Sequence, residues 1–320
     1  MRVFGYREDL GAARRRLDEL HPQIAHTSIG SVQYAFRGNG RDVLAIHGIM
    51  GGFDAGLRLA DGLLPEGCRG IAPSRFGYLG TPMPDMATVT MQADAHAALL
   101  DSLGVRRVAV LAASAGGSSA LQFAIRHPER LDALILVSSV APGPYRPPVP
   151  RPVASVLWGS DFMMWAMTRV FPGTITGLMG VPKDLPLRAE DQAIITEEVG
   201  SLLPMSQRVQ GALFDQFLSN ADVNNGYRFE QITAPTLVIH AKDQPGYKGI
   251  PGGDAAAAAM AELIPGARML SIDHGGHLLL GDHPEIKTEI ANLLTSLEPT
   301  KAIAEDMTGH GAAAPADPPQ

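Results

Sequence analysis

Short apolar runs separated by helical spacings dominate the first half of the chain. Asp42–His47 is a continuous apolar run of strand length that ends in His47-Gly48, the pattern of a buried central strand. Residues 68–75, 107–113 and 131–139 repeat that pattern, and 27–37 alternates weakly, as a hairpin of two strands would. Between them, residues 88–103 carry Ala93, Ala97, Leu100 and Leu103 at helical spacing, with Thr88 or Thr90 as the start and Gly104 as the stop. A second, small-residue helix is predicted from Ala115 to His127, ending before Pro128. Strands alternating with helices predict a parallel sheet covered on both faces.

The alternation stops at Ala141. Residues 141–152 (APGPYRPPVPRP) hold six prolines, and 153–227 are helical by turns and rich in methionine and aromatic residues. It resumes with a strand at 235–240, a helix at 254–264, a strand at 268–272 and a helix at 284–297. This gives four segments: an N-terminal helical extension (1–26), a core in two pieces (27–140 and 228–298), a helical insertion (141–227) and a disordered tail (299–320). In the extension, Leu10, Ala13, Leu17 and Leu20 share one face, which makes it a docking helix or a frayed end.

Composition narrows the function. The 320 residues are 45% hydrophobic and 18% charged, which fits a chain that buries a core. Lys and Arg number 26 against 33 Asp and Glu, a net charge of −7, and Arg14–Arg16 is the longest basic run. Nucleic acid is therefore a poor partner. No unbroken apolar stretch reaches 18 residues, and the first twenty residues lack the apolar segment of a secretory signal. The single cysteine, Cys68, excludes an internal disulfide and a cysteine-based metal site. A cytoplasmic, soluble protein is expected.

The strongest chemical signal is VLAASAGG at 110–117, where a strand runs into Ser114 and then directly into a helix. A serine at so sharp a turn needs small neighbours two positions either side, here Ala112 and Gly116. The turn puts the hydroxyl at a helix N-terminus, where negative charge is favoured. A plain serine N-cap would give the same local pattern. A nucleophilic serine needs a base, and the base needs an orienting group. His277 follows two glycines in the loop between the last strand and the last helix, and is the better base than its neighbour His274. Asp243 is the only carboxylate just after the strand 235–240, which makes it the expected acid. The order Ser114, Asp243, His277 follows the order Ser…Asp…His.

On these residues the chain resembles the α/β-hydrolase superfamily. The likeness covers about residues 27–298 and rests on HGIMGGFD (47–54), APSRFGYLGTPMP (72–84), AASAGG (112–117) and DHGGHLLLGDHPE (273–285). The resemblance implies an α/β-hydrolase fold: a mostly parallel central sheet with helices on both faces and a helical cap, here 141–227. It implies oxyanion donors at Ile49 and Ala115 and no metal or organic cofactor. It also implies an apolar pocket under the cap, for which Trp158, Met163, Trp165 and Met167 are the candidate lining. One departure stands out: relatives often carry two adjacent acids where this chain has Asp243-Gln244.

The expected activity is a serine hydrolase, and its partner a small apolar carbonyl-containing substrate, an ester first of all. Two alternatives stay open: a carbon–carbon bond hydrolase acting on a diketone-like substrate, and a ligand-binding protein with weak turnover. Arg75 is expected to hold a loop. Oligomeric state is not encoded in any motif.

Overall fold

The computed structural model describes residues 5–246 and 253–297. The expected tail at 299–320 lies outside these residues.

In chain order the first elements are α1 (Tyr6–Glu19), β1 (Gln23–Thr27), β2 (Gly30–Gly38), β3 (Arg41–Ile46), α2 (Phe53–Leu63), β4 (Cys68–Pro73), α3 (Val89–Ser102), β5 (Val108–Ala113), α4 (Gly116–Arg126) and β6 (Leu131–Val137). The insertion follows, with α5 (Arg151–Trp158), α6 (Asp161–Val170), α7 (Pro172–Leu178), α8 (Ala189–Ser201), α9 (Val209–Phe214), a π-helical turn (Asp215–Ser219) and α10 (Asn220–Asp222). The chain then re-enters the core with β7 (Thr236–Ala241), α11 (Gly253–Leu263), β8 (Arg268–Ile272) and α12 (Pro284–Thr295).

The eight strands form one sheet in the order β1-β2-β4-β3-β5-β6-β7-β8. β1 and β2 are antiparallel to their neighbours, and the six strands from β4 to β8 run parallel. Their apolar runs are continuous because both faces are covered. Leu44, Ile46, Val110, Leu134 and Val238 pack in one cluster with residues of α3, α4 and α11. The alternate positions Val43, Ala109, Leu111, Ile135 and Ile239 pack in another with Ile286, Ile290 and Leu293 of α12. Local signals hold the helices in place. Thr88 caps α3 by accepting from the Met91 N–H at 3.1 Å, and Gly104 ends it at φ 67°.

Two boundaries differ from the sequence expectation. Residues 23–26 do not continue the N-terminal helix: Pro22 and His21 (φ 50°) break it, and Gln23–Thr27 pairs with β2 as a strand. And α1 is no frayed end. Ala13 and Leu17 are buried, Asp9 accepts from the Trp165 Nε1–H at 2.8 Å, and Arg16 donates to the Leu203 carbonyl at 3.3 Å. The helix is thus strapped to the insertion. Among the described residues no helix is long and apolar enough to cross a membrane.

The sheet order decides where a site can form. The chain winds outward from β3 in one direction through β4 and in the other through β5, so β3 and β5 lie side by side with Ile46 opposite Ala112. A crevice opens beyond the carboxyl ends of such strands. The residues that follow are His47-Gly48 on one side and Ser114 on the other.

Candidate active site

Ser114 sits between β5 and α4 at φ 51°, a left-handed conformation that costs a non-glycine residue about 1–2 kcal/mol. The tight turn is held by its neighbours: the Ser114 N–H donates to the Val137 carbonyl (3.0 Å), and its own carbonyl accepts from the N–H groups of Gly117 (3.0 Å) and Val140 (3.2 Å). Gly116 is required by space. A Cβ there would come within 2.6 Å of the His47 carbonyl oxygen. Gly48 is in a tight place too, since a Cβ there would lie 3.0 Å from that of Ser114. The elbow read from the sequence, with Ala112 in place of a glycine, is therefore formed.

The loop 47–52 crosses in front of Ser114 and is held from behind by charges. His47 is fully buried; its Nδ1 donates to the Gly48 carbonyl (2.7 Å) and its Nε2 accepts from the Arg75 N–H (3.0 Å). That pattern requires the neutral ring, and burial with the nearby Arg75 charge pushes the His47 pKa well down. The buried Arg75 guanidinium forks onto Asp215 (2.6 and 2.5 Å), and its Nη2 also donates to the Gly48 carbonyl at 3.0 Å. Tyr78 donates to Asp215 (2.5 Å) and accepts from the Met50 N–H (3.2 Å). Burial, then the Asp215 charge, raise the Tyr78 pKa well above its usual value and keep the phenol protonated.

A second buried pair lies beside the first. Arg208 donates to both carboxylate oxygens of Asp54 (3.1 and 2.9 Å) and to the Gly51 carbonyl. Burial works against the Asp54 charge, but Arg208 outweighs it, and the Asp54 pKa falls below the carboxylate range. Among the described residues, neither the Ile49 nor the Ala115 N–H makes a hydrogen bond within the protein.

His277 lies on a short 3-10 turn, Gly276–Leu278, between β8 and α12. Its N–H donates to the Gly180 carbonyl in the insertion at 3.0 Å, and Asp191 of α8 accepts from the Gly281 N–H at 2.9 Å. The insertion therefore holds the histidine loop as well as the 47–52 loop. The expected acid is corrected here. Asp243 accepts from the backbone N–H groups of Gly276 (2.8 Å) and Gly275 (3.2 Å), whereas the Gln244 amide nitrogen Nε2 meets His277 Nδ1 at 3.1 Å, with the ring nitrogen as acceptor. Asp243 braces the loop and Gln244 meets the ring. The turn after β7 points the second residue, not the first, at the imidazole. Among the described residues no hydrogen bond joins Ser114 to His277.

With an amide rather than a carboxylate beside it, His277 gains no opposing charge. The residue is half-buried, and burial alone lowers its pKa to about 4. His96 of α3, fully buried against Ser119 of α4, falls to about 3, chiefly through burial. Both folded values lie below the ordinary 6.5, so protons bind preferentially to the unfolded chain. Stability is expected to hold above pH 6.5 and to decline as pH falls toward 4. Urea midpoints at pH 7.5 and 4.5 check this; equal midpoints would contradict it.

The substrate-pocket candidates fare unevenly. Trp158 and Trp165 are buried in the insertion's own apolar cluster, against which Ile49, Met50 and Met167 pack. Trp165 also stacks edge-on against Tyr6 and donates to Asp9, so it anchors α1. Met163 is 37% exposed and does not pack in that cluster. Helical spacing marks apolar residues but not which apolar partner each one meets. The sequence reading assigned Arg75 to a loop and that is where it acts. Asp54, Asp215 and Arg208 carried no sequence signal, since the charge pairs span 140 and 154 residues.

Comparison with known proteins agrees with this fold. The model of the alpha/beta hydrolase fold family matches residues 43–284. The chain is 27% identical over 228 residues to a 2-hydroxymuconate semialdehyde hydrolase of Pseudomonas putida, covering 68% of this chain and 73% of that one. It spans about half or less of the length of the next curated relatives. Among solved structures, an alpha/beta hydrolase fold protein from Nakamurella multipartita superposes with a TM-score of 0.62 at 28% identity, over 85% of this chain and 98% of that one. An esterase from Exiguobacterium antarcticum superposes with a TM-score of 0.63 at 21% identity, over 85% and 99%.

Proposed function

The chain belongs to the alpha/beta-hydrolase family, and on that premise we propose that it is a serine hydrolase cleaving small or medium apolar carboxylic esters through an acyl-enzyme. The observation that carries this reading is Ser114 at φ 51°, on an elbow that faces the Gly48–Ile49 peptide. In the proposed mechanism Ser114 Oγ attacks the ester carbonyl and His277 Nε2 takes its proton. The Ile49 and Ala115 N–H groups stabilise the oxyanion. The tetrahedral intermediate collapses, His277 protonates the departing alkoxide, and the acid half stays on Ser114. Water, deprotonated by His277, then attacks the acyl carbon and frees the carboxylic acid and the serine.

Gln244 sets the tautomer. The base form needs a proton on Nδ1, so the amide oxygen must face the ring. In the structure the Gln244 Nε2 faces Nδ1, the orientation that puts the proton on the ring Nε2 and disarms it, so the proposed mechanism requires the Gln244 amide to turn over. A neutral partner orients the imidazole without stabilising the imidazolium, so turnover is slower than with a carboxylate. With His277 near 4, the acid limb of kcat/KM is expected near pH 4. Gln244→Glu places a charge on the ring, and the limb is expected to rise by about 1–3 units, with a higher kcat. An unmoved limb would remove Gln244 from this role.

The proposed cap is the insertion 141–227, and the substrate is proposed to lie between it and the sheet. A second reading has one observation in its favour: the Pseudomonas putida relative is a 2-hydroxymuconate semialdehyde hydrolase. Carbon–carbon cleavage would use the same base and oxyanion donors on a ketone. Initial rates on p-nitrophenyl esters of graded acyl length, set beside a 2-hydroxy-6-oxo-dienoate, separate the two. We expect esters to give the higher kcat/KM; a reversal would favour the carbon–carbon reading.

A further inference from the structure

We infer that Arg75 and Asp215 are positioning residues that set the direction of the Ile49 N–H, so that the insertion itself completes the oxyanion site. The inference rests on the serine-hydrolase reading and extends it. The argument starts from the peptide bond. Residues 48 and 49 share one trans peptide plane, in which the Gly48 carbonyl and the Ile49 N–H point in opposite directions. Whatever holds the carbonyl therefore aims the N–H.

Three donors converge on the Gly48 oxygen: His47 Nδ1 at 2.7 Å, Arg75 Nη2 at 3.0 Å and the Gly51 N–H at 3.3 Å. All three draw the oxygen to the rear of the loop and leave the N–H for the other side. Of the three, Arg75 alone carries a charge and reaches the carbonyl from outside the loop. A fully buried guanidinium needs a counter-charge to stay there. Asp215 supplies it, and Tyr78 ties Asp215 to the next peptide through the Met50 N–H.

Asp215 opens the π-helical turn after α9, inside the insertion. A single π turn commonly marks a functional position, because it displaces the side chains that follow. Here it places a carboxylate against a strand-end arginine 140 residues away. The segment expected to cover the site would then also build its floor. Without Asp215, Arg75 loses its counter-charge, the Gly48 carbonyl loses its strongest donor, and the 48–49 peptide is free to turn over. A flipped peptide would offer the developing oxyanion a carbonyl oxygen in place of a donor.

The test is kinetic, on the full chain. Arg75→Met and Asp215→Asn are compared with Leu293→Ala, a core truncation in α12 remote from the site. Active sites are counted with a fluorophosphonate, so that rates are per competent molecule. Arg75→Met is expected to lower kcat per site by about 10²–10³-fold, the cost of one oxyanion donor, with KM within about threefold. The inhibition constant of an arylboronic acid, which mimics the tetrahedral state, should weaken by a similar factor. Leu293→Ala should lower the melting temperature and leave kcat per site unchanged. If Arg75→Met does not fold, Tyr78→Phe takes its place, with an expected loss of about tenfold in kcat and in boronate affinity alike.

A kcat per site within threefold of wild type in the folded Arg75 or Tyr78 variant would overturn the inference. So would a KM rise with kcat intact, which would make Arg75 a substrate contact. If the wild-type protein neither hydrolyses esters nor labels at Ser114, the serine-hydrolase reading has failed instead, and the two failures are told apart by the wild type alone.

Discussion

Ser114→Ala is expected to lower ester hydrolysis by about 10⁴-fold or more while leaving the melting temperature within a degree or two of wild type. The size follows from the mechanism. No acyl-enzyme can form without the hydroxyl, and the oxyanion donors acting on a direct water attack account for the residue of activity. The absence of a stability effect follows from the turn. Alanine occupies φ 51° at the same cost as serine, and among the described residues the Ser114 hydroxyl has no hydrogen-bond partner to leave stranded. Steady-state rates at matched folded concentration, with a thermal melt on the same samples, check both halves. Retained turnover would remove Ser114 from the chemistry, and a collapsed fold would make the serine structural.

Asp54→Ala is expected to destabilise the protein by about 3–5 kcal/mol, the usual cost of breaking a buried ion pair from one side. Both side chains are fully buried. Removal of the carboxylate leaves Arg208 with the Gly51 carbonyl as its one acceptor among the described residues, and among these Arg208 Nε has no partner even in the intact pair. Arg58, 3.6 Å from Asp54, keeps Glu198 as its partner, so Arg208 is the cation left without a counter-charge. The first turn of α2 also loses its acid. Urea unfolding gives the number. The double variant Asp54→Leu/Arg208→Met removes the charges together and is expected to recover much of the stability. It should not recover kcat, because the Gly51 carbonyl is then unheld and the 47–52 loop is free at that end. Recovery of both would assign this pair to stability alone.

The parts of the molecule that were legible in the sequence are those whose cause is local. A strand buried on both faces reads as a continuous apolar run, as Val43–Ile46 does. The elbow reads from small residues at fixed offsets from Ser114, and at Gly116 the collision avoided is with the Ile46 and His47 carbonyls at the end of the adjacent strand. His277 stood out through its glycines and its place before the last helix. The residue beside it did not. Asp243 and Gln244 are neighbours in one turn, and which of them meets His277 depends on how that turn closes; residue identity favoured Asp243, and the turn delivers Gln244. The buried charges under the 47–52 loop were illegible for a different reason. Arg75 lies in a glycine- and proline-rich stretch that flags a loop, but its partner Asp215 sits in an irregular segment without a period, on the far side of 140 residues. Trp165 shows the same limit: helical spacing marks it as buried, and only packing reveals that it faces α1.

The central claim is an activated serine at position 114, and reaction with a fluorophosphonate tests it most directly. The account predicts that the intact protein gains the mass of one phosphonyl group, that the modified peptide contains Ser114, and that Ser114→Ala gains nothing under the same conditions. No adduct on the wild type with large or small probes, or an adduct on any other residue, would contradict it.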